Sequence, residues 1–145
     1  MSTKADGNNL VAENSFNWFD YHLFHDDEKE NFCNEGRIWL GERFDQQTSY
    51  TFNHSLANIT TNKEVSVYFE AGAVSPTLSQ MNLQINGNVV TTMFFQELGS
   101  KYNCFTDGGI RNGSVATSSP DVQLRFTYNK PNSSSRAWLN YYELH

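Results

Sequence analysis

Val122, Leu124, Phe126 and Tyr128 alternate with Gln123, Arg125 and Thr127, the strongest two-residue period in the chain. Successive side chains of a strand point to opposite faces, so this run is an extended segment with one apolar face. The run continues through Tyr128-Asn129-Lys130-Pro131; Asn132-Ser133-Ser134-Ser135-Arg136 follow as a polar turn, and Ala137 to Leu144 as an aromatic last strand. Together they read as the closing hairpin of an antiparallel sandwich, with no catalytic group in the turn.

The same alternation recurs upstream. Val65, Val67 and Phe69 alternate with Ser66, Tyr68 and Glu70, and Met81, Leu83 and Ile85 with Asn82, Gln84 and Asn86. Asn86-Gly87 tolerates the positive φ of a type I′ turn, so Val89 to Phe95 is expected to return as a hairpin partner. Tyr50 and Phe52 mark another strand. Arg37 to Phe44 is strand-like, with Gly41 marking a bulge or a close backbone approach. Phe16 to Phe24 carries rings on both parities and reads as a strand covered on both faces or one at a sandwich edge near another layer, with helix the competing reading. Leu98 to Gly113 reads as irregular, with Gly99, Gly108, Gly109 and Gly113 as loop punctuation before a short strand around Val115.

The predicted fold is all-β, an antiparallel two-sheet sandwich of about eight or nine strands with jelly-roll or immunoglobulin-like connectivity. Residues 1–14 read as a flexible leader and 15–145 as a single β-sandwich domain excised from a longer chain. Only 38% of the 145 residues are hydrophobic but 14% are aromatic, so large rings must supply much of the core. A net charge of −6, with ten scattered Lys and Arg, argues against a nucleic-acid partner. No window approaches the ~18 consecutive apolar residues of a membrane span. The acidic, Asn/Ser/Thr-rich composition points to export.

The densest polar cluster is His22, His25, Asp26, Asp27, Glu28 and Glu30. It reads as a solvated turn, with Asp26, Asp27 and Glu28 the candidates for a structural calcium. Neighbours on a strand diverge, which weighs against that ion. Cys33 and Cys104 either pair, stabilising the fold by ~4 kcal/mol in the chain-entropy picture, or remain separate thiols. Neither sits in a nucleophile setting, although His22, His25, His54 and His145 are available as bases. Gly108-Gly109 lacks the lysine and hydroxyl of a phosphate loop. Asn53, Asn58, Asn112 and Asn132 begin glycosylation sequons of a kind frequent by chance in such a composition.

Aromatic side chains are the remaining binding candidates. Tyr68 lies on the polar side of its strand. Trp138 and Tyr142 share one parity of the last strand against Leu139 and Tyr141, and one of those two faces must point inward. Tryptophan is more often core than platform.

Three segments carry a resemblance: Gly36-Arg37-Ile38-Trp39-Leu40-Gly41-Glu42-Arg43-Phe44, then Thr48-Ser49-Tyr50-Thr51-Phe52, then Thr127 to Pro131 through Ser135 to Tyr141. In that order they resemble the amino-terminal β-sandwich region of the PorU-type, gingipain-related sortases of the type IX secretion system of Bacteroidetes. The resemblance implies a protein at the extracellular face of the bacterial outer membrane or in the periplasm. A later cysteine-peptidase domain of such a protein cleaves carboxy-terminal secretion signals and joins cargo to anionic lipopolysaccharide. Its catalytic motif is not among these residues, so no catalytic residue is assigned, and Leu98 to Gly113 matches nothing in the family. The expected function is a non-catalytic module without a cofactor. It would dock to its own peptidase domain, secreted cargo or a translocon component. The alternative is a carbohydrate-binding module using exposed rings.

Overall fold

Period-two runs need partners, and the chain supplies them by crossing between two sheets at nearly every turn. The computed structural model describes residues 21–31, 39–56, 62–98 and 107–145, among which there is no helix. One sheet is ordered β1 (Leu23–Asp26), β11 (Arg136–Leu144), β6 (Lys63–Val74), β9 (Asp107–Thr117), with β4 (Arg43–Phe44) also paired to β11. The other is ordered β5 (Ser49–Ser55), β10 (Asp121–Asn129), β7 (Ser79–Ile85), β8 (Asn88–Phe95). The short strands β2 (Glu30–Asn31) and β3 (Trp39–Leu40) make a ladder of their own. From β4 onward every connection changes sheet except the β7–β8 hairpin. This is the winding of a jelly roll, and it removes the immunoglobulin-like alternative. The surplus over the expected strand number comes from the two-residue strands β2, β3 and β4. The leader 1–14, most of the Phe16 to Phe24 run, and both cysteines lie outside the described residues.

The β7–β8 turn matches expectation, with Asn86 at φ 48° and Gly87 at φ 84°. The closing hairpin does not. β10 pairs with β5 and β7, whereas β11 pairs with β1, β4 and β6, so the polar turn between them is an arch from one sheet to the other. Buried Ser135 anchors that arch through Ser75, their hydroxyls 2.9 Å apart. Alternation alone cannot distinguish an arch from a hairpin, because both ends need an apolar face.

Rings fill the space between the sheets, as the low aliphatic content requires. Phe126 lies edge-on to Phe69 at 5.2 Å and to Phe52 at 6.1 Å, and Phe95 to Tyr128 at 6.4 Å. Edge-to-face pairs of this kind add about 0.5–1.5 kcal/mol each beyond burial.

Two elements depart from simple alternation. β9 extends from Asp107 to Thr117 and contains Gly108, Gly109 and Gly113, which were expected in a loop. Two of those glycines allow close approach: a Cβ on Gly108 would collide with the Ala71 carbonyl, and one on Gly113 would lie 2.7 Å from Val90 Cγ2, whereas Gly109 has open space beside it. In β11 the register against β6 slips between Leu139 and Tyr141, leaving Asn140 as a bulge. Ala137 and Leu139 therefore face the main core before the bulge, and Tyr142 and Leu144 after it. Trp138 falls on the opposite face, in a small second core with Leu40 and Val74. β3 and β4 reach that face because Gly41 lies against β11, its N–H bonded to the Leu139 carbonyl at 3.0 Å. A Cβ there would sit 2.7 Å from that oxygen and 2.8 Å from the Asp27 carbonyl, which is the close approach anticipated for this glycine.

Candidate functional site

The outer face of the β1-β11-β6-β9 sheet carries two rows set by strand register. One row runs Phe24, Glu143, Tyr68, Asn112, and the next runs Asp26, Tyr141, Glu70, Ile110. Rings and acids thus alternate both along and across the strands, with no lysine or arginine in either row. Phe24 is 53% exposed, Ile110 55% and Tyr68 42%. Phe24 and Tyr141 lie 5.6 Å apart between centroids. Burial first, then the charges of Glu70 and Glu143, raise the Tyr141 phenol above its ordinary value, so it remains a hydrogen-bond donor. Asn140 Nδ2 donates to Glu70 Oε2 at 3.2 Å. Such a face offers apolar ring surface beside carboxylate acceptors, suited to basic or hydroxyl-rich partners.

Of the three aromatic candidates named from sequence, only Tyr68 belongs to this face. Trp138 and Tyr142 are both fully buried and present no ring to solvent. They sit on opposite sides of β11, because the Asn140 bulge breaks the parity they share in sequence. Phe24 and Tyr141 were missed as binding candidates. Their signal was present in the aromatic runs, but exposure depends on pairings far along the chain.

Asp26, Asp27 and Glu28 do not converge. Asp26 is exposed on the outer rows, Glu28 is exposed in the turn, and Asp27 pairs with Lys29. Extended backbone sends the neighbours apart, as strand geometry dictates. Asp27 instead joins a different group, with His25 and Glu42. Glu42 is only 4% exposed, and its Oε1 lies 3.0 Å from His25 Nε2 and 3.3 Å from Lys29 Nζ. The Lys29 ammonium is held above its ordinary pKa, chiefly by the hydrogen bond to Asp27.

Behind this group the polar chain continues inward. His25 stacks on Tyr142 at 4.7 Å, and the Tyr142 hydroxyl lies 2.9 Å from His54 Nε2. Burial, with a smaller contribution from Glu42, pushes the Tyr142 phenol far above its ordinary value. Burial also lowers His54, and the nearby His25 adds to the effect. The pair is therefore an uncharged imidazole–phenol hydrogen bond. Each of the four histidines faces a carboxylate or a phenol, none of which is a nucleophile–base arrangement.

Stability should consequently fall as pH drops below about 6.5, the ordinary histidine value. Folded His54 resists a proton that the unfolded chain accepts, so its contribution is complete above that pH and is lost as pH falls through it. Thermal melts at pH 7 and pH 5 test this. His54→Gln should show a smaller drop than the parent chain, and an equal drop in both would reject the assignment.

No protein-family model and no curated protein sequence matches the chain. Among solved structures it is similar to dimeric latent PorU from Porphyromonas gingivalis, with a TM-score of 0.75 and 18% identity over 98% of this chain. The match spans only 14% of the PorU chain. It is also similar to the CBM36-1 domain of a multidomain xylanase from the hindgut metagenome of Trinervitermes trinervoides, with a TM-score of 0.56 and 8% identity. That alignment covers 86% of this chain and 97% of the other. A carbohydrate-binding module CBM36 in complex with calcium and xylotriose gives a TM-score of 0.52 and 10% identity, covering 85% and 99%. At these identities the likeness establishes a shared fold.

Proposed function

We propose that this chain is a non-catalytic β-sandwich module of a longer cell-surface protein of the type IX secretion sortase kind. In this reading it acts by docking, through the Phe24, Tyr68 and Tyr141 face, onto the peptidase domain of its own parent protein. The observation that carries the reading is the match of nearly the whole chain to a 14% segment of PorU. The three sequence segments that resemble the same family support it. So does the ring-and-carboxylate face, since aromatic residues are enriched where binding energy concentrates.

The test is association between this module and the separately purified peptidase domain of the parent protein, read by titration calorimetry. Phe24→Ala and Tyr68→Ala should each weaken association by about tenfold, the size of a modest interface anchor. Binding that is absent, or indifferent to both changes, would overturn the reading.

A second reading is favoured by two observations: rings stand beside carboxylates on an exposed sheet face, and two similar solved structures are carbohydrate-binding modules. Saturable binding of xylo-oligosaccharides, lost in Tyr68→Ala, would promote a sugar ligand over docking. A flat titration would remove it.

A further inference from the structure

A second group of metal-ligating side chains lies at one end of the outer face. Leu23 pairs with Leu144, which sets His22 beside His145 across β1 and β11. Glu143 and His145 are two residues apart and so share a face. Two backbone hydrogen bonds of 2.8 Å, one each way between Ser66 and His145, hold residue 145 in register with β6. The result is a convergence of three side chains from the two ends of the described chain. His22 Nε2 lies 3.7 Å and His145 Nε2 3.3 Å from the same Glu143 oxygen, and the three ligand atoms all fall within 4.8 Å of one another.

We propose that His22, Glu143 and His145 form a binding site for a divalent transition metal, zinc(II) being the best fit. Zinc–nitrogen and zinc–oxygen bonds of about 2.0–2.2 Å in a tetrahedron place neighbouring ligand atoms about 3.3–3.5 Å apart. Two of the three separations are at or close to that value, and side-chain rotation closes the third. Two imidazoles and one carboxylate are a ligand set for zinc or its neighbours, whereas calcium requires six to eight oxygens. Both imidazoles are solvent-accessible, with 51% of the His22 and 35% of the His145 side chain exposed, so an ion has a path in and a coordination position stays open to water. Bound metal would add a tie between β1 and β11 beyond their backbone pairing and the ring contacts of Phe24 with Tyr141 and His25 with Tyr142.

The other group, His25, Asp27 and Glu42, does not share this character. Lys29 reaches both carboxylates there, so a built-in cation already fills the focus. The two groups therefore separate in a single experiment.

Zinc is titrated into the intact protein against a chromogenic chelator at neutral pH. The expected result is one equivalent bound, with His22→Ala and His145→Ala each weakening it by about tenfold or more, and His25→Gln, in the other group, leaving it unchanged. Zinc should also raise the melting temperature of the parent chain by mass action, and the rise should vanish in both alanine variants. Circular dichroism of the metal-free variants confirms that they fold, and Glu143→Gln serves as the third variant if one of them does not. Calcium should not compete. Absence of stoichiometric binding, binding indifferent to the His22 and His145 changes, or equal competition by calcium would each overturn the site.

Discussion

Trp138→Ala should destabilise the fold by about 3–5 kcal/mol, the usual cost of emptying a large buried aromatic site. For a domain of this size the melting temperature should fall by about 10–20 °C. The ring is fully buried between β11 and the short β2–β3 ladder, in contact with Leu40 and Val74. Its Nε1–H donates to Glu30 Oε2 at 2.9 Å, and the guanidinium groups of Arg43 and Arg136 lie 6.0 and 5.9 Å from the ring. Trp138→Phe separates these contributions. It retains most of the packing but drops the donor to half-exposed Glu30, and should cost only about 1–2 kcal/mol. A Trp138→Ala protein that melts within a degree or two of the parent would show that this ring is not a buried anchor.

Tyr142→Ala is the second large effect, again about 3–5 kcal/mol. Tyr142 is the hub of the core on the other face of the same strand. Its ring lies 4.7 Å from His25, 5.0 Å from Phe52 and 5.8 Å from Phe126. Tyr142→Phe keeps all of these and loses only the hydrogen bond to His54, so about 0.5–1.5 kcal/mol is expected. Half-buried His54 can recruit water in that variant, which keeps the cost at the lower end. Tyr68→Ala should cost far less, about 1 kcal/mol at most, because its ring is 42% exposed and its one ring contact among the described residues is edge-on to His145 at 5.5 Å. Denaturant melts of the three variants test the ordering. A Tyr68 effect as large as that of Tyr142 would contradict the two-faced reading of the sheet.

Some elements were legible in the residues themselves. β7, the Asn86-Gly87 turn and β8 follow from local alternation and positive-φ chemistry, and β5 and β10 from alternation alone. These features are short-range, so neighbours in sequence suffice to specify them. β9 was legible only at its end around Val115, because its glycine-bearing first part carries no side-chain period to read. The reason for Gly108 and Gly113 lies in distant neighbours: the Ala71 backbone of the adjacent strand β6 and Val90 of the opposite sheet leave no room there for a Cβ. The aromatic face was only partly legible. Tyr68 stood out by parity, but Phe24 and Tyr141 become neighbours only once β1 pairs with β11. The same long-range pairing brings His22 to Glu143 and His145, a group that no local window contains.

The amino-acid sequence by itself determined an all-β, ring-filled, acidic domain, because residue type and two-residue spacing act within a few positions of the chain. The tertiary structure decided whether each turn closed a hairpin or arched between sheets. It also decided which face of β11 each aromatic took and which distant side chains met. The reason is physical. A single bulged residue at Asn140 inverts the facing of everything on one side of it, and only the register of the partner strand shows that the bulge is there.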